Sequence, residues 1–598
     1  MPMPGQPVMD DAGPSGPTPL ATASAWLGAF GAALDAGDLP AAAGLFLVDG
    51  HWRDLLACTG QIGTVSGAAA IAEQLRRTLT RTQPTGFRLV PGRTPPRAVV
   101  RAGTSVVEAI FAFDTAAGVC NGVVRLVPDS TGLARAWTFS TALDEPRDGA
   151  ECAGAEAARD FGGDNWLDKR RKAGAYADHD PEVIVVGGGQ AGLSIAARLG
   201  RLGVDTLIVD RQARIGDNWR RRYHSLTLHN EVHVNHLPYM PFPPTWPVFI
   251  PKDKLANWFE AYAESMELNF WTGTELVAGT YDEGTRRWRV TLRREDGTER
   301  VMQPRHLVFA TGVSSIPQRP TLPGLDAFAG TVMHSGAYVS GAAWKGRRAL
   351  VLGTGNSGHD VAQDLHASGA AVSLIQRSPT YVVSLAEAQS VYAIYSEGVP
   401  IEDCDLLAAS TPYPVLRRSY QLSTAASREV DRPLLDGLAA RGFRLDYGDD
   451  DTGFQMKYLR RGGGYYFNVG CSDLIVAGQV GLLQHADIDS FVAEGARLRD
   501  GSVVAADLLV LATGYENQQE VVRSSLGDAV ADRIGPVWGY GDGDELRNMW
   551  RRTAQPGLWF TAGSLAQCRI YSKYLALQIK ADSVSESTVP QSASPAIA

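Results

Sequence analysis

Cysteine is scarce in this 598-residue chain, and its six copies form no C-x-x-C pair. Cys58, Cys120, Cys152, Cys404, Cys471 and Cys568 are scattered, which disfavours both a disulfide framework and a dithiol reductase and fits a reducing cytoplasm. Long hydrophobic runs are missing too: no uninterrupted apolar stretch approaches the length of a membrane span. The first residues, MPMPGQPVMDDAGPSGPTP, have no basic region followed by an apolar one, so they do not read as a signal peptide. Positive charge is in deficit, 56 Lys and Arg against 65 Asp and Glu, a net −9. That balance argues against nucleic acid or an anionic membrane as the main partner. A soluble cytoplasmic protein is expected.

What remains is ordinary for a globular enzyme, with 44% apolar and 20% charged residues. The length calls for two to four packed units. Within ASAWLGAFGAALDAG, Trp26, Phe30 and Leu34 recur at fourfold spacing and predict one apolar helical stripe. AAAIAEQLRRTLTR behaves similarly, while AVVRAGTSVVEAIFAFDT and VCNGVVRLV read as paired strands. Residues 17–145 are therefore expected to form a compact α+β unit. Residues 146–180 lack periodicity and read as a linker. The Pro- and Gly-rich start and the small, polar tail 581–598 both read as disordered.

At Pro181 the pattern changes. EVIVVGGGQAGLSIAARLGRLGVDTLIVDR is a buried strand, a glycine turn, an Ala-rich helix and a second buried strand. Gly187, Gly189 and Gly192 satisfy G-x-G-x-x-G, with Gln190 and Ala191 opening the helix. Such a turn lets backbone approach a pyrophosphate, which then rests on the positive helix end. Asp210 and Arg211 end the next strand, where the acid can accept hydrogen bonds from ribose hydroxyls. The unit repeats at RRALVLGTGNSGHDVAQDLHASGAAVSLIQRS, with Gly353, Gly355, Asn356, Ser357 and Gly358. Its second strand ends at Arg377 and Ser378, without a carboxylate. An acid there would repel a 2′-phosphate and an arginine attracts one, so the pair of sites implies FAD first and NADPH second. One such fingerprint alone is weak evidence. Strand, turn, helix and a distinctive ribose-end residue in register, twice, is strong. Two further strands end in Ala-Thr-Gly, at Thr311-Gly312 and Thr513-Gly514, where small residues suit a close cofactor crossing.

Between them lies Phe328-Ala-Gly330-Thr-Val-Met-His334-Ser-Gly-Ala-Tyr338. This Phe-x-Gly-x-x-x-His-x-x-x-Tyr stretch resembles the fingerprint of class B flavoprotein monooxygenases. It is closer to the flavin-containing monooxygenases than to the Baeyer–Villiger enzymes, which typically carry Trp at the position of Tyr338. The segment from Gly216 through Asn218, Trp219, His229 and Asn230 to Pro243 is similar to the YUCCA-type indole-3-pyruvate monooxygenases. The resemblance, over residues 181–580, implies two Rossmann-type dinucleotide-binding domains: FAD at 181–333 and 496–580, NADPH at 334–495 with a substrate-side insertion. It also implies Asn218 and Trp219 beside the flavin, and His229 with Asn230 facing its reacting edge. The implied activity is NADPH-dependent oxygenation through a C4a-(hydro)peroxyflavin, with O2 and a small organic molecule as substrates. N- or S-oxygenation and oxidative decarboxylation of an arylpyruvate-like acid both fit. Baeyer–Villiger insertion into a ketone, or an uncoupled NADPH oxidase with a ligand-sensing amino-terminal unit, are the alternatives.

His224, His229, His233 and His236 crowd one segment, yet Asn235, Pro238 and the lack of a carboxylate pair argue against a metal site. His359 and Asp360 are expected to fix the second turn. The stretch from Ser384 to Gly481, rich in Tyr392, Tyr395, Tyr413, Tyr420, Tyr465, Tyr466 and Phe467, is a candidate cover for the substrate pocket. Residues 29–60 resemble, more loosely, the NTF2-like or SnoaL-like cone. That fold would let Asp49, His51, Trp52, Arg53 and Asp54 line a pocket and would allow a homodimer. Fold alone gives no activity, and an accessory role is favoured.

Overall fold

The computed structural model describes residues 17–128, 133–147, 149–152 and 161–587. The expected disordered start (1–16), the end of the tail (588–598) and the middle of the linker (153–160) lie outside these residues. Inside them two expectations change. Residues 581–587 belong to a 23-residue helix, Leu565–Ser587, and the linker contains a capped helix, Trp166–Ala175. In that cap Asn165 accepts from the Asp168 amide while the Asp168 carboxylate accepts from Asn165, which satisfies two otherwise orphaned donors.

The amino-terminal unit follows from its patterning. Helix Pro19–Asp35 buries Trp26, Phe30 and Leu34 as its period requires. Seven strands form one sheet around it; Thr104–Thr115 pairs with Gly118–Pro128 as expected, while the start of the expected first strand turns back as a separate strand, Arg97–Arg101. The interior is filled by aromatic rings. Phe30 stacks on Trp26 at 5.0 Å between centroids, Phe111 on Phe139 at 5.3 Å, and Phe87 on Phe113 at 5.0 Å. Such pairs add about 0.5–1.5 kcal/mol each beyond area burial. This packing overturns the expected pocket of residues 49–54. Trp52 is in the core, donating to Thr141 at 2.9 Å. Buried Asp54 accepts from Thr141, Cys58 and Thr59. His51 pairs with Ser66 at the surface, Asp49 is exposed, and Arg53 points out of the unit altogether.

Two parallel five-stranded sheets follow. The first orders Asn269–Trp271, Thr206–Val209, Val183–Val186, His306–Phe309 and Leu558–Phe560. The second orders Thr331–His334, Leu508–Leu511, Arg348–Leu352, Ala371–Gln376 and Gly481–Gln484. As strands covered on both faces must be, their central strands are apolar, apart from Arg348, which begins its strand in solvent. The second sheet exceeds the expected 334–495 at both ends. The chain returns to the first sheet only at Leu558, and the long carboxy-terminal helix packs on helix Gln190–Arg201.

A charged seam fastens the amino-terminal unit to the rest. Glu108, 2% exposed, accepts from Arg97, Arg101 and Arg125, and Glu397 accepts from Arg97 and Arg101 across the boundary. Arg125 also donates to Leu407 O at 3.0 Å, and Arg93 and Thr94 hold Asp403. Helix Ile401–Ala409 thus lies against the outer face of the amino-terminal sheet. Glu108 is held well below the usual carboxylate range: burial opposes ionisation, and the three guanidiniums more than offset it. A depressed acid contributes stability above its unfolded pKa, about 4.3, and loses it as pH falls. Glu108→Ala strands three cations in a dry seam, so urea unfolding at pH 7 should show a loss of about 3–5 kcal/mol. A change below 1 kcal/mol would mean that the seam is open to water.

Candidate functional site

Each parallel sheet carries a glycine turn at the carboxyl end of its central strands. Gly187 has φ 106°, and a Cβ on Gly192 would sit 1.9 Å from Gly187 O, so neither position accepts a side chain. Helix Gln190–Arg201 opens at Gly189 with no side-chain cap, which leaves its first amides facing outward. The second turn repeats this at Gly353 (φ 117°) and Gly358, and helix Asn356–Ala367 is likewise uncapped at Gly355. Beside Gly355 an added Cβ would find only Tyr465 O, at 3.7 Å; the approach is open.

Around the first turn several polar atoms are buried without partners: Asn218 Oδ1, Thr311 Oγ1, Ser315 Oγ and Gln518 Oε1. Orphans of that kind cost about 1–3 kcal/mol each in a dry interior. Clustered beside an open helix end they fit a bound polar cofactor, and these residues suit a dinucleotide. Asp210 accepts from the Gly188 and Gln212 amides at 2.7 and 2.8 Å, which fixes the turn and leaves lone pairs for hydroxyls. Arg211 is exposed. Trp219 donates to Gln190 Oε1 at 3.2 Å, and Gln190 donates to Gly563 O, tying the short Asp217–Arg220 turn to the cradle. Gln518 donates to Gly312 O at 2.6 Å and Thr513 to Gln318 O, so both Ala-Thr-Gly turns are pinned at their strand ends.

At the second cradle Arg377 and Ser378 are exposed beyond strand Ala371–Gln376. Arg444, distant in sequence, donates to Arg377 O at 2.7 Å and sets a second guanidinium at the same corner. Sequence reading missed it, because only the fold brings residue 444 beside 377. Asn356 Oδ1 accepts from the Phe467 amide at 2.9 Å. Through that oxygen it pins the strand carrying Phe467, and its amide nitrogen stands with Ser357 at the helix opening. His334 works similarly. Its Nε2 donates to Gly514 O and its Nδ1 accepts from Gly336 N, both at 3.0 Å, which requires a neutral ring. Tyr338 donates to Asp364 at 2.6 Å. The fingerprint from Phe328 to Tyr338 therefore braces the second Ala-Thr-Gly turn. Tyr515, another residue missed, packs on His334 at 5.1 Å and accepts from Arg222. His359 lies flat on Tyr466 at 3.9 Å, and Asp360 accepts from Tyr223 and is pushed up to about 6 by burial. His359 Nδ1 also meets Gly355 O at 3.2 Å and so holds the turn as expected, whereas Asp360 ties the helix to Tyr223.

His229 and Asn230 sit on strand Thr227–Glu231. His229 packs against Phe467 at 5.0 Å, and Asn230 Nδ2 donates to Tyr392 OH at 3.1 Å. The segment from Ser384 to Gly481 does supply the aromatics of this wall. Arg569, on the carboxy-terminal helix, clamps the loop that follows, donating to Val234 O and His236 O while both its arms hold Asp405. The four histidines do not converge. His224 is exposed, His233 pairs with Glu231, and His236 accepts from the Phe242 amide. No group of three metal-ligating side chains gathers among the described residues. Two surface cavities of about 240 Å³ lie away from the cradles, one by Asp144, Arg198 and Lys573, the other by Arg305, Arg552 and Trp559.

Two parallel sheets with open helix ends at their glycine turns, and an aromatic wall beside them, define an α/β protein built to hold extended polar ligands. Residues 180–534 match the model of the flavin-binding monooxygenase-like family. Indole-3-pyruvate monooxygenase YUCCA1 of Oryza sativa is 32% identical over 58% of this chain and 79% of its own, and the probable YUCCA4 enzyme of Arabidopsis thaliana 30% over 56% and 76%. Cyclohexanone monooxygenase from Rhodococcus sp. Phi1 shares the fold, with a TM-score of 0.50 at 18% identity over 68% of this chain and 85% of its own. The chain belongs to the flavin-binding monooxygenase-like family and is an FAD- and NADPH-dependent monooxygenase.

Burial holds His229, His236 and His359 down to about 4 and His306 to about 3. Their unfolded value is about 6.5, so below that pH the unfolded chain binds protons that the native state refuses. Stability should therefore fall from pH 6.5 to 4 by up to about 1.4 kcal/mol per pH unit for each histidine. Chemical denaturation across that window checks it, and a flat profile contradicts it.

Proposed function

We propose that the first cradle holds FAD, that the second holds NADPH, and that the chain places one atom of O2 on a small organic substrate beside His229. Each cradle is read as a Rossmann-type domain. Residues 181–333 with the carboxy-terminal part serve FAD, and the second sheet, with the insertion that follows Arg377, serves NADPH. The observation carrying this is the pair of open glycine turns, one ending in an acid, the other in two arginines. In the first cradle the amides of Gln190 and Ala191 take the pyrophosphate, Asp210 the ribose hydroxyls, and Asn218, Thr311 and Gln518 the remaining polar edge. Trp219, held by Gln190, covers the ring system. In the second cradle Ser357 and the neighbouring amides take the phosphates, and Arg377 with Arg444 the 2′-phosphate.

When bound, NADPH supplies a hydride and FAD the centre at which oxygen is activated. The protein's task is to position and to exclude water. Asn356 fixes Phe467, Phe467 fixes the His229 ring, and Arg569 fixes the loop beyond. His229, neutral, can donate one hydrogen bond at the reacting edge without bringing a charge. The amino-terminal unit, read as NTF2-like with a filled interior, has an accessory role: it backs the insertion through helix Ile401–Ala409.

Purified protein should carry FAD, and substrate should raise NADPH consumption while lowering the fraction released as hydrogen peroxide. Colourless protein that takes up no FAD refutes the reading. Arg377→Ala should raise KM for NADPH at least about tenfold, the weight of one charge-assisted phosphate contact, and leave KM for NADH nearly unchanged. Equal losses for both nucleotides would show that the phosphate lies elsewhere.

A further inference from the structure

Beside the seam at helix Ile401–Ala409, the amino-terminal unit grips a second element of the catalytic half, the hairpin Trp538–Arg547. Arg53 does this from strand Phe46–Leu55. Its Nη1 donates to Thr64 Oγ1 at 3.2 Å and its Nε to Ala409 O at 2.8 Å, which fixes the plane of the guanidinium. The fork then closes on both carboxylate oxygens of Glu545. The two side chains are only 6% and 13% exposed, so the pair is shielded from the water that weakens surface ion pairs. A bidentate guanidinium also fixes direction, which a single point charge does not.

The gripped hairpin is held together by its own backbone. Trp538 N donates to Arg547 O at 3.0 Å, Arg547 N to Gly539 O at 2.9 Å, and Gly541 N to Glu545 O at 2.9 Å. In and just after it, Trp538, Asp544, Asn548 and Trp550 all adopt positive φ, from 58° to 75°. That conformation is costly for residues with a Cβ and persists where outside contacts impose it. Arg53 supplies one contact. Helix Gly453–Arg461 supplies another: Trp538 Nε1 donates to Tyr458 O at 2.8 Å, and the two rings meet at 5.2 Å.

From Tyr458 the contacts continue to the first cradle. Its hydroxyl donates to Gln567 Oε1 at 3.1 Å. That oxygen also accepts from the Ser564 amide at 3.0 Å, while Gln567 N donates to Ser564 Oγ, a reciprocal cap on the carboxy-terminal helix. Next to it Gly563 O accepts from Gln190, the residue that holds Trp219. None of these groups is exposed. The family match spans residues 180–534; Arg53 precedes it and Glu545 follows it, so both ends of the bridge stand outside the shared frame.

We infer that Arg53 and Glu545 are positioning residues for the oxygenation: the amino-terminal unit presses the hairpin on Tyr458, and Gln567 and Gln190 thereby hold Trp219 at the flavin. The inference rests on the proposed placement of FAD in the first cradle. A loosened Trp219 admits water to the ring system, and the electrons of NADPH then leave on oxygen: NADPH, one proton and O2 give NADP⁺ and H2O2.

The test needs no substrate. With NADPH and air alone, peroxide release per bound FAD should rise at least about fivefold in Glu545→Gln and in Tyr458→Phe, which removes one hydroxyl and keeps the ion pair. The visible circular dichroism of the bound flavin should change in both. Combined, the two substitutions should raise release no further than the larger single change, as two breaks in one line of contacts do. Glu397→Gln is the control. It weakens the seam on Arg97 and Arg101, and should lower stability to urea while peroxide release stays at the wild-type rate. Unchanged release in both variants, or an equal rise in Glu397→Gln, overturns the inference and leaves Arg53 a fastener only. Wild-type protein that binds no FAD removes the functional reading and this inference with it, whereas FAD-loaded variants with unaltered release remove only this one.

Discussion

The paired contact of Arg569 with Asp405 is the constraint on which the site depends. Its guanidinium gives two hydrogen bonds to the carboxylate and two to the carbonyls of Val234 and His236. One buried group thus joins the carboxy-terminal helix, the helix Ile401–Ala409 and the loop that follows His229 and Asn230. A planar fork with fixed donor directions does this where a lysine could not. Tyr395 adds a further donor to Asp405, at 2.8 Å. The opposite side of the same helix carries the seam with the amino-terminal unit, so one nine-residue helix takes load from both directions. Truncating either partner leaves a bare charge in a dry place, which is the costly way for such a network to fail.

How much of this could be read from the chain depends on the distance between partners. The two glycine turns were legible because every group they need lies within about thirty residues: strand, turn, helix, strand, and then Asp210 or Arg377. Helix Pro19–Asp35 and the pairing of Thr104–Thr115 with Gly118–Pro128 were legible for the same reason, their periods being local. Arg444 was not, because only the register of Gln376 against residue 444 sets it beside Arg377. Glu545 stands almost five hundred residues from Arg53, and no pattern in either neighbourhood signals the other. Strand Leu508–Leu511 reads as any buried strand. That it joins the second sheet and not the first is decided by pairing with Thr331–His334 and Arg348–Leu352.

The residues at 49–54 show how a loose resemblance can mislead. A cone with a pocket requires small or polar side chains inside, and this chain has put Trp26, Phe30, Phe46, Phe111 and Phe139 there. With the interior filled, the polar residues of strand Phe46–Leu55 turn to other work. Asp54 organises the turn at Cys58 and Thr59, and Arg53 crosses to the catalytic half. The unit is a solid block that presents a charged face, and that suits a brace better than a receptor.

Charge and neutrality are kept apart with some consistency. The seams are ionic, and each guanidinium in them has its carboxylate. The wall by His229 is built of phenols, carboxamides and imidazole. The separation has a physical reason. In a water-poor chamber an unpaired ion would dominate the local field, and a histidine that could protonate would bring one in. Burial alone keeps the His229 ring neutral, with no acid placed to charge it. Hydrogen bonds in such a setting are strong and directional, so orientation there comes from donors that carry no charge of their own, and the ions do the fastening outside.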